Sequence, residues 1–585
     1  MKPAPEDSIM SVTRPTVSDL RRRIDAAAGR KKADLLIRGG RIVDVFSGHL
    51  RQADIAIDRD RIVGLGHYDA TEVIDVSGRF VSPGFMDGHV HVESSMVTPP
   101  QYARATTPHG TTAVVTDPHE IANVIGSKGI QWLIRSAAKN PLRLFAMIPS
   151  CVPATSMETS GANLSESELE ALIDEPWVLG IGEMMNFPAV VSGVSRILRK
   201  LTVSHGKRID GHAPHLSGKG LNAYVAAGIT SDHECTTLAE AQEKLASGMV
   251  IMIREGSSAK NLTDLIPLVN QENSRRFILV SDDRHPHDLV HEGHMDDILR
   301  KAVRLGLDPI TAIRMATSNP AEYFGLHDMG GIAPGYRADL VVLEDLENFG
   351  VEWVIHGGRP VVKNRIVQES AFQLKSPPLA NSVHVPKIQS DDLLMAAVSE
   401  RVRVIELVPD QIVTDGSVES ISVVNGFAQP EPERDILKII VAERHHGSGR
   451  IGKGFVRGFG LKEGAIGSSV SHDSHNIIVV GTNDVDMALA VNEISRMRGG
   501  LVATAHGRIC GALPLPLAGL LSDRSVEEVD EKLTTIQTET NRMGSELKSP
   551  FMVLSFMALP VIPRLKITDR GLVDVVAFQT IDVFV

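Results

Sequence analysis

The chain has 585 residues, more than one ordinary core holds, so two or three domains are expected. Its net charge of −12, without a basic stripe, argues against nucleic acid as a partner, and no apolar run reaches the ~18 residues that would span a membrane. Its three scattered cysteines, Cys151, Cys235 and Cys510, exclude a disulfide framework or a CxxC zinc site and suit a reducing cytoplasm. In chain order, residues 1–32 open with "MKPAPEDSIMSVTRP", polar and without an apolar h-region. They read as a helical or loose leader, not a signal peptide. Residues 33–80 hold short β-branched runs broken by Gly and Asp, "ADLLIRGGRIVDVFSG" and "ADIAIDRDRIVGLG". These predict the first half of a small β-sandwich.

From 81 to 325 strands alternate with longer helical segments, the pattern of parallel β/α units. Eight strands end in "FMDGHVHVE", "TTAVVTDPHE", "LRLFAMIPS", "WVLGIGEMM", "RIDGHAP", "GITSDHE", "VIMIREGS" and "FILVSDDRHP". Eight strands in about 200 residues match a (β/α)8 barrel, whose active sites lie at the C-terminal strand ends. Residues 326–368 return to short strands, the second half of the sandwich; 369–403, with "KSPPLANSVHVPK", read as a linker. Residues 404–585 read as an α+β domain. The fold class is thus α/β: a TIM-like (β/α)8 barrel inserted in a small β-sandwich, plus a C-terminal α+β domain.

The polar clusters gather at the strand ends. His89 and His91 are two apart, so both face one side of their strand. Glu183, His212, His233 and Asp282 end the fourth, fifth, sixth and eighth strands. Four imidazoles and two carboxylates are too many donors for one tetrahedral zinc and suit two divalent metal ions per chain. Manganese or iron come first, with zinc as the alternative. A structural reading stands beside this one: Glu183 as an ordinary buried, paired carboxylate, and His119 with Glu120 as caps of the loop after the second strand. Arg254 and Glu255 are expected to pair with each other, and Asp283 to face away from Asp282 and support its loop. "SHDSHN" (471–476) reads as a metal-binding or mouth-closing segment, or equally as a hydrogen-bonded turn.

Three motifs are refused. "HVE" lacks the PCxxC of the cytidine-type zinc deaminases. "HEIAN" and "HECTT" lack the second histidine of HExxH. "GKGFVRGFG" lacks the P-loop spacing and its Lys-Ser/Thr ending.

The His-x-His after the first strand, single histidines after the fifth and sixth, and Asp after the eighth resemble the amidohydrolase superfamily. "PGFMDGHVHVESSMVTP", "TDPHEIANV", "GIGEMMNFP", "DGHAPHLSG", "SDDRHP" and the tail "RIGKGFVRGFGLKEGAIGSSVSHDSHNIIVVG" with "PLPLAGLLSD" resemble, more narrowly, its bacterial adenine deaminase family. The likeness runs over nearly the whole chain beyond the leader, and the tail makes it specific. It implies hydrolysis of adenine to hypoxanthine and ammonia in purine salvage, with Glu183 bridging two metals. Many relatives use a carboxylated lysine there; this chain has none at that strand end, which argues against a dihydroorotase or hydantoinase.

For that reaction C6 of adenine is a weak electrophile with a poor leaving group, so an activated water and a proton carrier are needed. Asp282 is the expected general base, and Glu120 and Glu234 are further candidate acids near the purine nitrogens. Asn123, Ser94, Ser95 and Arg284 are positional candidates for substrate binding; His215 and His285 lie one loop further out. The expected partner is a small-molecule purine, with no nucleic acid and no membrane, in a homo-oligomer, most simply a dimer. The alternatives are another amidohydrolase acting on a different purine or a cyclic amide, and a binding protein that lost catalysis. The complete donor set from His89 to Asp282 speaks against the last.

Overall fold

The computed structural model describes residues 15–257, 259–409 and 411–585. In the expected leader a helix spans Val17–Ala27, capped by Thr16, whose hydroxyl accepts the Asp19 N–H at 3.1 Å. Arg22 ties it to Asp58 of the sandwich at 2.7 Å; residues 1–14 of the leader lie outside the described residues.

The sandwich explains how the barrel is inserted. Ala33–Arg38, Ile55–Asp58, Arg61–Leu65 and Ala70–Asp75 make a four-stranded sheet. A seven-stranded sheet joins Arg41–Asp44, His49–Gln52 and Phe80–Pro83 to Leu340–Leu343, Val351–His356, Arg359–Lys363 and Ile366–Val367. Its junction is an antiparallel pairing in which Leu340 faces Pro83 and Leu343 faces Phe80. Alternate residues, Leu35 and Ile37 on one sheet and Leu340 and Val342 on the other, share the core.

The barrel strands are β1 (Phe85–Val90), β2 (Thr111–Thr116), β3 (Arg143–Ile148), β4 (Val178–Met184), β5 (Arg208–Gly211), β6 (Ser231–Asp232), β7 (Val250–Arg254) and β8 (Phe277–Val280). β1 to β5 pair in sequence, as do β6 to β8, all parallel. Thr230 N–H donates to Ile209 O at 3.0 Å across the seam between β5 and β6. Asp282 N–H donates to His89 O at 3.0 Å, and His91 N–H to Asp282 O at 3.3 Å, closing β8 onto β1. β1, β2, β7 and β8 are buried at every residue, because side chains fill the inside and helices cover the outside.

Met86, Ala113, Val115, Met147, Met252, Ile278 and Val280 fill the interior beneath the strand ends, with Tyr323 and Phe324 below. The register of β1 against β2 shifts between Asp87 and Val90. That irregularity changes the parity of the strand: Met86 faces the interior, and so, three and five residues on, do His89 and His91.

Residues 369–403 are not a loose linker. Trp132 Nε1–H donates to Pro377 O at 2.8 Å, while Val383, Ile388 and Leu393 enter the C-terminal core. That domain is α+β, with an eight-stranded, almost wholly antiparallel sheet beginning at Arg401 and the helices Asp484–Met497, Val526–Arg542 and Pro550–Phe556. It docks on the C-terminal face of the barrel. Ser522 N–H donates to Met96 O at 2.7 Å, Asn476 Nδ2 to Thr159 O at 2.8 Å, and Thr568 Oγ1 to Met157 O at 2.7 Å. Among the described residues no helix is long and apolar enough to cross a membrane.

Candidate metal centre

The strand ends converge on Glu183, in β4. Its Oε1 lies 3.4 Å from His91 Nε2 and 3.3 Å from His119 Nδ1. Its Oε2 lies 2.7 Å from His212 Nδ1 and 3.2 Å from His233 Nε2. Each oxygen therefore faces two imidazoles. Burial would raise this carboxyl, but His212 and His233 overcome it and hold Glu183 well below the usual carboxylate range. The backbone behind it is fixed as well: Glu183 N–H donates to Asp117 Oδ2 at 2.8 Å. A Cβ on Gly182 would come within 2.1 Å of that oxygen, so only glycine lets Asp117 reach this strand.

His91 is oriented by Asp117 O, 2.9 Å from its Nδ1. A carbonyl only accepts, so Nδ1 carries a proton and Nε2 is the atom turned to Glu183 and Asp282; Asp282 outweighs burial and raises His91 well above the ordinary histidine value. His89 stacks on His233 with ring centroids 4.2 Å apart. Burial beside His233 and His91 keeps His89 neutral, its pKa well below the ordinary histidine value. Its buried Nε2 has no hydrogen-bond partner among the described residues and lies 3.9 Å from Asp282 Oδ1.

Asp282 adopts a left-handed backbone, φ 57°, where β8 closes on β1. Its Oδ1 lies 3.2 Å from His91 Nε2, and its Oδ2 accepts from Arg254 Nη1 at 2.9 Å. Against the burial that would raise it, His91 and Arg254 hold this carboxyl well below its usual range. The structure thus brings His89, His91, Glu183, His212, His233 and Asp282 together. A buried, unpartnered imidazole nitrogen among further imidazoles and ionised carboxylates is a nitrogen and oxygen donor set that fits divalent manganese, iron or zinc.

Some expectations are corrected. Arg254 pairs not with Glu255 but with Glu234, its Nη2 to Oε2 at 3.0 Å, and with Asp282. Glu255 lies on the other side, 3.5 Å from Lys301. Glu234, expected as a free acid, is therefore held as the counter-ion of Arg254, 3.5 Å from both His212 and His233. Arg284, expected near the purine, is set by its Nη2 on Asp297 at 2.8 Å, against the helix Met295–Arg304. Ser94 Oγ donates to Asp283, so these two fasten the loops after β1 and β8 to each other. Ser95 Oγ donates to Val92 O within its own turn. Asn123 Nδ2 donates to His119 O at 3.0 Å inside the helix His119–Ile125, leaving its buried Oδ1 unpartnered among the described residues. His215 is exposed on its loop.

Three residues in the site were not assigned from sequence. His119 joins the cluster from the first turn after β2. Asp473 and His472 arrive from the C-terminal domain: His472 Nδ1 lies 2.7 Å from Glu120 Oε1, and Asp473 Oδ1 lies 3.9 Å from His119 Nε2. His475 also lies against Glu120; its Nδ1 accepts the Ser471 N–H at 3.1 Å, which puts the ring proton on Nε2, toward Glu120. Glu120 outweighs burial and raises His472 to about 9. Burial, reinforced by Glu120 and Glu183, raises Asp473 to about 6. Burial beside Glu120 likewise raises Glu93 to about 7.

A closed barrel with this donor set at its C-terminal face defines a hydrolase of the amidohydrolase class, and residues 80–361 match the Amidohydrolase family. Residues 411–579 match the Adenine deaminase C-terminal domain. The chain is 50% identical to an adenine deaminase of Desulfatibacillum aliphaticivorans, over 96% of this chain and 99% of that one. It is 47% identical to one of Dehalococcoides mccartyi strain CBDB1 and 46% identical to one of Bacillus velezensis, in each case over 96% of this chain and 99% of the relative. The chain belongs to the adenine deaminase family.

Proposed function

We propose that the cluster around Glu183 is where this chain hydrolyses adenine to hypoxanthine and ammonia, with two divalent cations as resident cofactors. His89, His91, Glu183, His212, His233 and Asp282 would hold them, with His119 as a further donor. The observation that carries this reading is the seating of Glu183, one oxygen toward His91 and His119 and the other toward His212 and His233. When bound, the cations acidify water, which makes a nucleophile available near neutral pH.

The chain's own groups move the protons. Asp282, ionised and aimed by Arg254, takes the proton from the attacking water. It then passes that proton to the ring or to the departing amine, so that ammonia leaves. Asp473, raised to about 6, is placed to hold a proton on the opposite side. Glu120 stays charged between His119, His472 and His475 and orients this roof. Glu234 positions Arg254, and Ser94, on Asp283, braces the loops after β1 and β8 that would border the purine.

The test is ultraviolet-monitored conversion of adenine before chelation, after it, and after reloading with manganese, iron or zinc, with metal counted per chain. Conversion lost on chelation and regained with two ions per chain supports the reading. Conversion that persists in metal-free protein overturns it. A folded protein that binds two ions yet leaves adenine untouched would move the substrate to another purine or a cyclic amide.

A further inference from the structure

A second histidine cluster lies away from the buried centre, on the seam between barrel and C-terminal domain. The helix Pro286–His291 follows the β8 loop that carries Asp282. Its His287 and His291 are one turn apart, so both project from one face, with ring centroids 4.4 Å apart. The facing helix, Val526–Arg542, presents Asp530 between them. His287 Nδ1 lies 3.0 Å from Asp530 Oδ1, and His291 Nε2 lies 2.8 Å from Asp530 Oδ2.

The two histidine side chains are 59% and 53% exposed and that of Asp530 only 10%, so the site opens to solution on one side and is walled on the other. Among the described residues no lysine or arginine pairs with Asp530. One donor atom from each residue lies within 4.8 Å of the other two. Bonds of about 2 Å at tetrahedral angles set neighbouring donors roughly 3.3 Å apart, so each histidine–aspartate pair needs to widen by only a few tenths of an ångström.

We propose that His287, His291 and Asp530 form a zinc-binding site of three protein donors, its fourth position open to water, that clips the helix after β8 to the C-terminal domain. The two imidazoles must be neutral to ligate, and the single carboxylate makes the site selective for borderline ions such as zinc over calcium or magnesium. Such a clip would fix the approach of the domain that brings His472 and Asp473 to the mouth. It stands independently of the metals around Glu183.

The test uses full-length enzyme already loaded with manganese and dialysed against micromolar zinc, with both metals counted per chain. The expected result is one zinc gained with no manganese lost. That zinc should disappear in the double variant His287→Gln/His291→Gln and in Asp530→Asn, both keeping the parental rate on adenine in the manganese form. Hydrogen exchange gives a second readout: zinc should slow it in 286–291 and 526–542 of the parent only. No zinc gained, zinc gained only as manganese is displaced, or equal zinc in parent and variants overturns the proposal.

Discussion

Glu120 and His472 meet at 2.7 Å, although one opens the helix after β2 and the other belongs to the C-terminal domain. The contact makes that domain part of the mouth, because its next residue, Asp473, is a buried acid whose Oδ1 lies 3.9 Å from His119 Nε2. Asp473→Asn keeps the shape and removes the titrating proton. It should lower kcat by about 10²-fold or more with metal content and melting temperature close to the parent, as steady-state kinetics and metal analysis would show. An unchanged kcat would remove Asp473 from the proton path.

Glu183→Gln keeps the volume and removes the charge that four imidazoles face. Losing a partner that merely orients a ligand costs about 10–100-fold in metal affinity. Losing Glu183 itself should cost at least that, read as metal lost on dialysis together with loss of adenine turnover. Full metal retention would mean that the carboxylate only supports the histidines.

Asp282→Asn should abolish turnover while leaving the fold intact, because Arg254 keeps its second partner, Glu234. The checks are the rate on adenine and the thermal melt. Near-parental activity would sink the role of Asp282 as base.

Much of this centre could be read from the sequence because the barrel turns order along the chain into position in space. His89 and His91 are two residues apart at a strand end, and Glu183, His212, His233 and Asp282 each close a strand. The partner of Arg254 was misread for the same geometric reason. Glu255 is adjacent in the chain, so along β7 it points the opposite way, while Glu234 and Asp282 come from the neighbouring strands. His119 was ambiguous because one turn of helix, not strand periodicity, aims it. The segment holding Asp473 was read as metal-binding or mouth-closing, or equally as a hydrogen-bonded turn, and no local pattern decides which loop of a distant domain will cover a barrel. The linker was read from its prolines, and its packing depends on partners such as Trp132 that lie far off in the chain.

A separate prediction concerns stability. Lys566 is fully buried, with Nζ donating to Ile412 O at 2.9 Å, and burial lowers its ammonium to about 7. Unfolded, it titrates near 10.4. Between these values the unfolded chain binds more protons, so this residue makes stability rise with pH across that window; below about pH 7 its cost is felt in full. Lys566→Met should therefore raise the melting temperature at pH 6 and flatten its rise between pH 7 and 10. Thermal melts across that range check it, and an unaltered slope would show that the lysine is not the source.

The pairing of Phe80–Pro83 with Leu340–Leu343 also bears on how the chain is made. The ribosome releases the first strand well before the second, and the whole barrel is synthesised between them. Until residue 343 emerges, one side of Phe80–Pro83 is a bare backbone edge, able to pair with any other extended strand nearby. The seven-stranded sheet can be sealed only by a barrel whose two ends have returned to the same place. Completing that sheet therefore acts as a closing latch that rewards a correctly wound barrel, and a nascent chain stalled before it is the form most exposed to aggregation.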